Sequence, residues 1–311
     1  MSKTLVIAVG GNALPTVSPR DTSDLERMLQ PVIDFAEQGM DVVLTYGNGP
    51  QVGVIYEGML DLAQKHSDIS EILMASTGAM SEGSIGSLIR FALRNICLAR
   101  NKFFKVTTVI THTLVDHEDP AFDNPTKPVG RFLSEEEAEN MRAEGRTIVE
   151  DSGRGYRWVV PSPKPQRILE FRSIRTLMDA GHIVLACGGG GIPTIRQDNR
   201  EETVEAVIDK DAASALLAHE LKADSLFLVT GVPQVAVDFG KSTQRWVDHM
   251  TRDEALAHMK DGQFPAGSML PKIEAALNFV ENNPNGEALI TSIDCLAEAL
   301  AGKTGTRITL N

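Results

Sequence analysis

A short apolar run that stops at two glycines, in a chain that repeats the pattern, is the feature that most limits what this sequence can become. Residues 5–9 (LVIAV) are rich in β-branched types and have no polar alternation. That is the pattern of a strand buried on both faces. Gly10-Gly11-Asn12 follows at once. Glycine there lets the chain turn sharply and come close to a ligand, and successive N–H groups in such a turn make a concavity suited to anions. An ordinary Gly-rich turn explains one such loop equally well. Three more loops of similar character change the balance: Gly47-Asn48-Gly49, Gly188-Gly189-Gly190-Gly191 and Gly267-Ser268. The first three of the four each follow a β-rich run, and open α/β sheets build ligand sites where strand ends feed Gly loops into one crevice.

At 311 residues the chain has room for one large domain or two ordinary ones. Its net charge of −12 disfavours nucleic acid as a partner, although a local lysine cluster can still hold an anionic substrate. Cys97, Cys187 and Cys295 are far apart with no Cys-x-x-Cys, which points to a reducing cytoplasm without structural zinc. No apolar run approaches the roughly 18 residues of a spanning helix, and the N-terminal run is too short for a signal peptide.

Along the chain, Ser23 and Glu26 have capping-box spacing for a helix to about residue 38, kinked at Pro31 and stopped by Gly39. Residues 41–45 read as a second buried strand, and Pro50 opens a helix. The glycines at 47, 49 and 53 are not a dinucleotide fingerprint, because the third falls one place late. Residues 70–100 read as helix throughout; Ser81 is no nucleophile elbow, since Ala79 stands where glycine is required. Residues 105–113 read as one further strand. The texture then changes over residues 116–165, with Pro120, Pro125, Pro128, Pro161, Pro163 and Pro165, an acidic helix from Ser134, and short strands at 147–149 and 156–160. This reads as a lid-like subdomain inserted in a single domain spanning 1–311. Lys127 lies within it, stiffened between Pro125 and Pro128; composition alone makes it a surface lysine.

Regular alternation resumes with a helix at 173–180, a strand at 183–186 running into the four glycines, and a polar hairpin at 196–205. A helix opens at Asp209-Lys210-Asp211 and runs to about residue 221; residues 225–230 are a strand; Thr251 and Glu254 cap another helix. The 265–272 loop delivers Lys272 to the start of an apolar helix, and strands at 287–291 and 306–310 close the sheet. Gly302-Lys303-Thr304 mimics a P-loop but has Ala297 where its first glycine belongs. Lysine at a helix N-terminus opposes the dipole unless an anion is near. Lys210 is therefore either a phosphate ligand or a solvated side chain beside a capping Asp209. The seven histidines form no His-x-x-x-His pair, and there is no Cys/His metal cluster. Gly loops with lysines and no nucleophile are the inventory of phosphoryl transfer, where the protein positions reactants and neutralises oxygens.

With these residues in place, the sequence resembles the amino-acid kinase superfamily and, within it, the carbamate kinases. The likeness spans nearly the whole chain: VGGNAL at 9–14, GNGPQVG at 47–53, DPAFDNPTKP at 119–128, RWVVPSP at 157–163, CGGGGIP at 187–193, AVIDKD at 206–211, FGK at 239–241 and GSMLPK at 267–272. The NPTKP and VPSP runs are specific to the carbamate kinase branch and lift Lys127 above a surface lysine. The resemblance implies an α/β fold, a three-layer α/β/α sandwich around a mainly parallel sheet of about eight strands, with a small protruding subdomain. It implies a cytoplasmic homodimer and a reversible reaction, carbamoyl phosphate plus ADP giving carbamate plus ATP. Mg²⁺ is carried by the nucleotide and no metal is held by the protein. The expected direction is toward ATP in catabolism, within arginine metabolism.

Residue by residue, the resemblance places Gly10, Gly11 and Asn12 on the acyl acceptor and γ-phosphate, with Gly47, Asn48 and Gly49 completing that pocket. Lys127 reaches the transferring group, Lys210 and Lys272 contact phosphates, and Asp209 orients the lysines. Asp211, Thr230, Gly267 and Ser268 join Lys210 and Lys272 on the nucleotide side. Carbamate is already an oxyanion, so no general base is needed. The alternatives are a kinase of this fold acting on another small carboxylate or acyl acceptor, and a non-catalytic nucleotide-binding regulator. Four positions depart from the family pattern: Tyr46 for histidine, Glu82 for glutamine, Gly231 for a larger residue and Leu270 for glycine. If Tyr46 and Glu82 line the acyl pocket, they shift substrate choice.

Overall fold

In a computed structural model of the chain, residues 2–10, 14, 22–66, 68–69, 72–151, 155–265 and 267–311 are described. The run at 5–9 lies in β1 (Thr4–Val9), buried along its whole length. Then come α1 (Ser23–Glu37), β2 (Asp41–Tyr46), α2 (Gly49–Lys65), α3 (Met74–Ala99), β3 (Lys105–Thr108) and β4 (His112–Val115). The proline-rich stretch holds β5 (Lys127–Leu133), α4 (Glu135–Ala143), β6 (Ile148–Glu150) and β7 (Tyr156–Val160). Next are β8 (Pro165–Ile168), α5 (Phe171–Asp179), β9 (His182–Leu185), β10 (Ile192–Gln197), β11 (Arg200–Thr203), α6 (Lys210–Leu221) and β12 (Ser225–Thr230). The chain closes with β13 (Val235–Val237), β14 (Arg245–Val247), β15 (His249–Thr251), α7 (Arg252–Lys260), α8 (Met269–Asn282), β16 (Glu287–Ser292), α9 (Leu296–Leu300) and β17 (Thr306–Thr309).

Eight strands make the main sheet, in the order β15-β17-β16-β12-β1-β2-β9-β3. Neighbours run parallel except β16 and β17. Successive side chains point to opposite faces, and the two faces feed two separate cores. Val6, Ala8, Val43, Val184, Leu226 and Leu228 pack with residues of α5, α6, α7 and α8. Leu5, Ile7, Val42, Leu44, Ile183 and Phe227 pack with α1, α3 and α9. This is the expected three-layer sandwich, and burial on both faces is why residues 5–9 show no polar alternation. Because β1, β2, β9 and β12 are parallel, the loops after them leave from one edge of the sheet.

Several local expectations are corrected. Residues 105–113 are not one strand: β3 edges the main sheet, whereas β4 belongs to a second sheet ordered β11-β10-β4-β8. Between them the Thr111 N–H donates to the Glu82 carboxylate, so the chain leaves the ladder. Ser23 is the first residue of α1 and not its cap; Glu26 accepts instead from Thr22 Oγ1 at 2.6 Å. The helix read from residue 70 begins at Met74, whose N–H donates to both Glu205 carboxylate oxygens at 3.0 and 3.1 Å; Ser70 lies outside the described residues.

Within residues 116–165, β5, β7 and β6 form an antiparallel sheet, with Leu133, Ala138 and Ile148 as a small core of their own. The sequence reading missed β5 because Pro128 argues against a strand. It is tolerated on an edge, and β5 pairs with β7 alone. The sheet rests on α2, where a Cβ on Gly53 would stand 2.0 Å from Gly130 Cα. Arg131 braces the seat, donating to Glu57 at 3.1 Å and Glu137 at 2.6 Å.

Candidate active site

Asp209, the N-cap of α6, spends one carboxylate oxygen on its own helix, where Oδ1 accepts from the N–H groups of Asp211 (2.8 Å) and Ala212 (3.2 Å). Its Oδ2 accepts from Lys127 Nζ, brought in by the first residue of β5. Asp211, in the first turn of α6, faces inward and is buried. It pairs with Lys210 through Oδ1 and with Lys272 of α8 at 2.8 Å through Oδ2. Five charged side chains from three elements thus form two adjacent ion-pair groups, Lys127–Asp209 and Lys210–Asp211–Lys272, joined through the Asp211 N–H that Asp209 accepts. Burial works against ionisation of Asp211, but the two ammonium groups outweigh it and hold the carboxyl at about 2. Burial also pulls Lys210 below the ordinary lysine value; Asp211 opposes this and Lys272 adds repulsion. Three ammonium groups against two carboxylates leave a surplus positive charge at a helix N-terminus, where N–H dipoles also favour an anion.

The Gly loops gather beside this network. Gly47 N donates to Val9 O at 3.0 Å, which sets the β1 and β2 loops side by side. A Cβ on Gly10 would lie 3.9 Å from Val229 O, so the end of β12, with Thr230, adjoins them. Gly11 and Asn12 lie outside the described residues. The 188–191 loop is wedged between Asn48 and the approach to α6. A Cβ on Gly189 would meet the Asn48 carboxamide at 2.2 Å, and one on Gly190 would meet Ile208 at 2.7 Å. Both glycines also have positive φ, at 65° and 93°, so a side chain is refused on two grounds. Gly49 is the first residue of α2, while Gly267 and Ser268 are exposed just before α8, one turn from Lys272.

The sequence reading missed what holds these parts. Asn48 Nδ2 donates to Ser81 Oγ at 2.7 Å, and the Glu82 carboxylate accepts from Gly188 N at 2.9 Å and Thr111 N at 3.2 Å. Small residues along a helix signal close packing, and nothing in their spacing reveals partners so distant in the chain.

Residues 3–292 match the amino acid kinase family. Two curated relatives each align over 99% of both chains: "Carbamate kinase 3" of Staphylococcus aureus at 46% identity and "Carbamate kinase-like protein YqeA" of Escherichia coli at 44%. The chain belongs to the amino acid kinase family, in its carbamate kinase branch. Among solved structures, the carbamate kinase from Giardia lamblia bound to AMP-PNP superimposes with a TM-score of 0.89 at 41% identity, covering 99% of this chain and 98% of that one.

In this family member the four departures have distinct settings. Tyr46 and Glu82 are fully buried, so they back the 188–191 loop and do not line an open acyl pocket. Tyr46 donates its hydroxyl to the Glu82 carbonyl at 2.9 Å. Leu270 packs against the α6–α8 core. Gly231 borders open space, with nothing within 4 Å of an added Cβ.

Proposed function

We propose that this chain moves a phosphoryl group reversibly between carbamoyl phosphate and ADP. The acyl-phosphate P–O bond breaks, the group passes to the terminal phosphate oxygen of ADP, and carbamate departs as an anion needing no proton. One observation carries this reading: Lys127, Lys210 and Lys272 converge on Asp209 and Asp211 beside the Gly loops. Ammonium groups held in a partly dry site neutralise phosphoryl oxygens far better than in water. Lys210 and Lys272 bind phosphate oxygens and Asp209 orients Lys127 toward the transferring group. Gly10, Gly11, Asn12, Gly47, Asn48 and Gly49 hold the acyl end, and Asp211, Thr230, Gly267 and Ser268 shape the nucleotide side. Mg²⁺ arrives with the nucleotide as part of the substrate.

Residues 116–165 act as a lid that delivers Lys127 and excludes water from a labile acyl phosphate. The internal core of that segment supports motion as a body. Two copies associate through α3, whose exposed Met80, Phe91 and Leu98 recur at helical spacing along one face. Three unpaired cysteines suit a reducing cytoplasm, and among the described residues no helix is long and apolar enough to cross a membrane. An acyl phosphate is a stronger donor than ATP, so transfer favours ATP, as catabolism requires. The test is ATP formation from carbamoyl phosphate and Mg-ADP by the purified protein. ADP binding without transfer would overturn the reading.

A further inference from the structure

Ser81 and Glu82 are adjacent on α3, both wholly buried, and each holds a different wall of the site. Ser81 Oγ donates to Gly78 O at 2.8 Å and accepts from Asn48 Nδ2, which fixes which way the Asn48 carboxamide faces. Glu82 spreads its two oxygens across two segments, Oε1 to Gly188 N and Oε2 to Thr111 N. Thr111 continues the support: its Oγ1 accepts from Cys187 N at 3.0 Å, and its carbonyl accepts from Ile192 N at 2.7 Å. Thr113 Oγ1 donates to Gly190 O at 2.7 Å. Both ends and the middle of the glycine loop are therefore tied to α3, to the β3–β4 link and to β4. The loop has no slack, because Gly189 abuts Asn48 and Gly190 abuts Ile208, two residues before Lys210.

We propose that Ser81 and Glu82 are positioning residues for phosphoryl transfer, setting Asn48 and the 188–191 loop at fixed distance from Lys210. The proposal rests on the transfer reading above. Burying a carboxyl is costly unless its oxygens are used, and here two N–H groups from different segments converge on it. A group placed only to fill space needs no such pair of acceptors. Neither side chain reaches the nucleotide-side lysines, so the pair governs how well bound reactants are aligned and not how tightly ADP is held. Misplacement of a reacting group by about an ångström costs on the order of a hundredfold in rate.

The test uses Glu82→Ala, Glu82→Gln and Ser81→Ala in the full chain. Turnover with carbamoyl phosphate and Mg-ADP is measured beside ADP affinity and amide hydrogen exchange of Thr111 and residues 187–192. Glu82→Ala and Ser81→Ala should each lower kcat at least about tenfold while ADP affinity stays within about twofold. Glu82→Gln keeps the shape and one acceptor, so it should recover most of the rate. It should still speed exchange at Gly188 or Thr111, whichever loses its acceptor. If Glu82→Ala does not fold, Ser81→Ala and the exchange of Glu82→Gln decide the matter. Unchanged kcat in folded Ser81→Ala, or unchanged exchange in Glu82→Gln, would overturn the proposal. Should the wild type show no transfer at all, the function reading falls, and the exchange data alone still judge the clamp.

Discussion

Asp211 stays ionised although it is buried, because Lys210 and Lys272 both face it. Removing Lys272 leaves Lys210 to hold the charge, so Lys272→Ala should fold while transfer falls on the order of a hundredfold. Steady-state rates checked against circular dichroism settle this, and a wild-type rate would return Lys272 to the status of a structural ion pair. Glu82 titrates the other way. Burial pushes its carboxyl up to about 8 against the hydrogen bonds from Thr111 and Gly188, with Glu170 adding repulsion. The groups around it, Tyr46 from β2, Cys187 after β9 and Glu170 before α5, include no cation among the described residues. The folded protein therefore keeps this proton where the unfolded chain, with a value of about 4.3, has lost it. The stabilisation is complete below that lower value and is lost as pH rises to about 8. In urea unfolding, the stability of wild type minus that of Glu82→Gln should fall by about 1.4 kcal/mol per pH unit across that window, then level. A constant difference would sink this assignment.

At the scale of elements, the contact that matters most is α2 against β5. The atoms facing Gly53 are the backbone of Gly130, which cannot swing aside as a side chain can. Gly53→Ala should lift the three-stranded sheet and withdraw Lys127 from Asp209. Its signature should match Lys127→Ala: transfer falling about tenfold or more with ADP affinity nearly kept, because Lys210 and Lys272 sit on α6 and α8. Gly58 lies on the same helix with nothing within 4 Å of an added Cβ, so Gly58→Ala should be active and about 1 kcal/mol more stable. Loss of ADP affinity with turnover kept at saturation in Lys127→Ala would show that the lid idea is wrong. The GNGPQVG motif was legible in the sequence; the partner that requires its last glycine was not.

For the whole molecule, two cores on opposite faces of one sheet account for most of the buried apolar side chains, yet α3 leaves Phe91 and Leu98 in solvent. A face of that kind is costly in a lone chain and useful between two. Phe91→Glu with Leu98→Glu should convert a dimer to a monomer in sedimentation equilibrium while leaving each chain folded, since both side chains already face outward. A wild-type protein that sediments as a monomer would remove α3 as the interface.

By itself the sequence determined the parts whose signals are local. Unbroken apolar runs of four to six residues, rich in β-branched types and bounded by glycine, read as strands covered on both sides, which calls for helices above and below a parallel sheet. Glycines after those runs pointed to a crevice, whereas composition alone left Lys127 a surface lysine and Lys210 open between phosphate ligand and solvated side chain. Tertiary structure decided how these parts meet. The β-branched run at 105–113 reads as one strand because nothing within it interrupts the pattern; it is split because Glu82, on another element, claims the Thr111 N–H. Asp211 could have been a capping residue on propensity alone, and only the packing of α8 against α6 brings it a second lysine. Tyr46 and Glu82 looked like candidate pocket walls, and burial makes them the backing of a loop instead. In each case the deciding partner lies tens of residues away, where no local periodicity reaches.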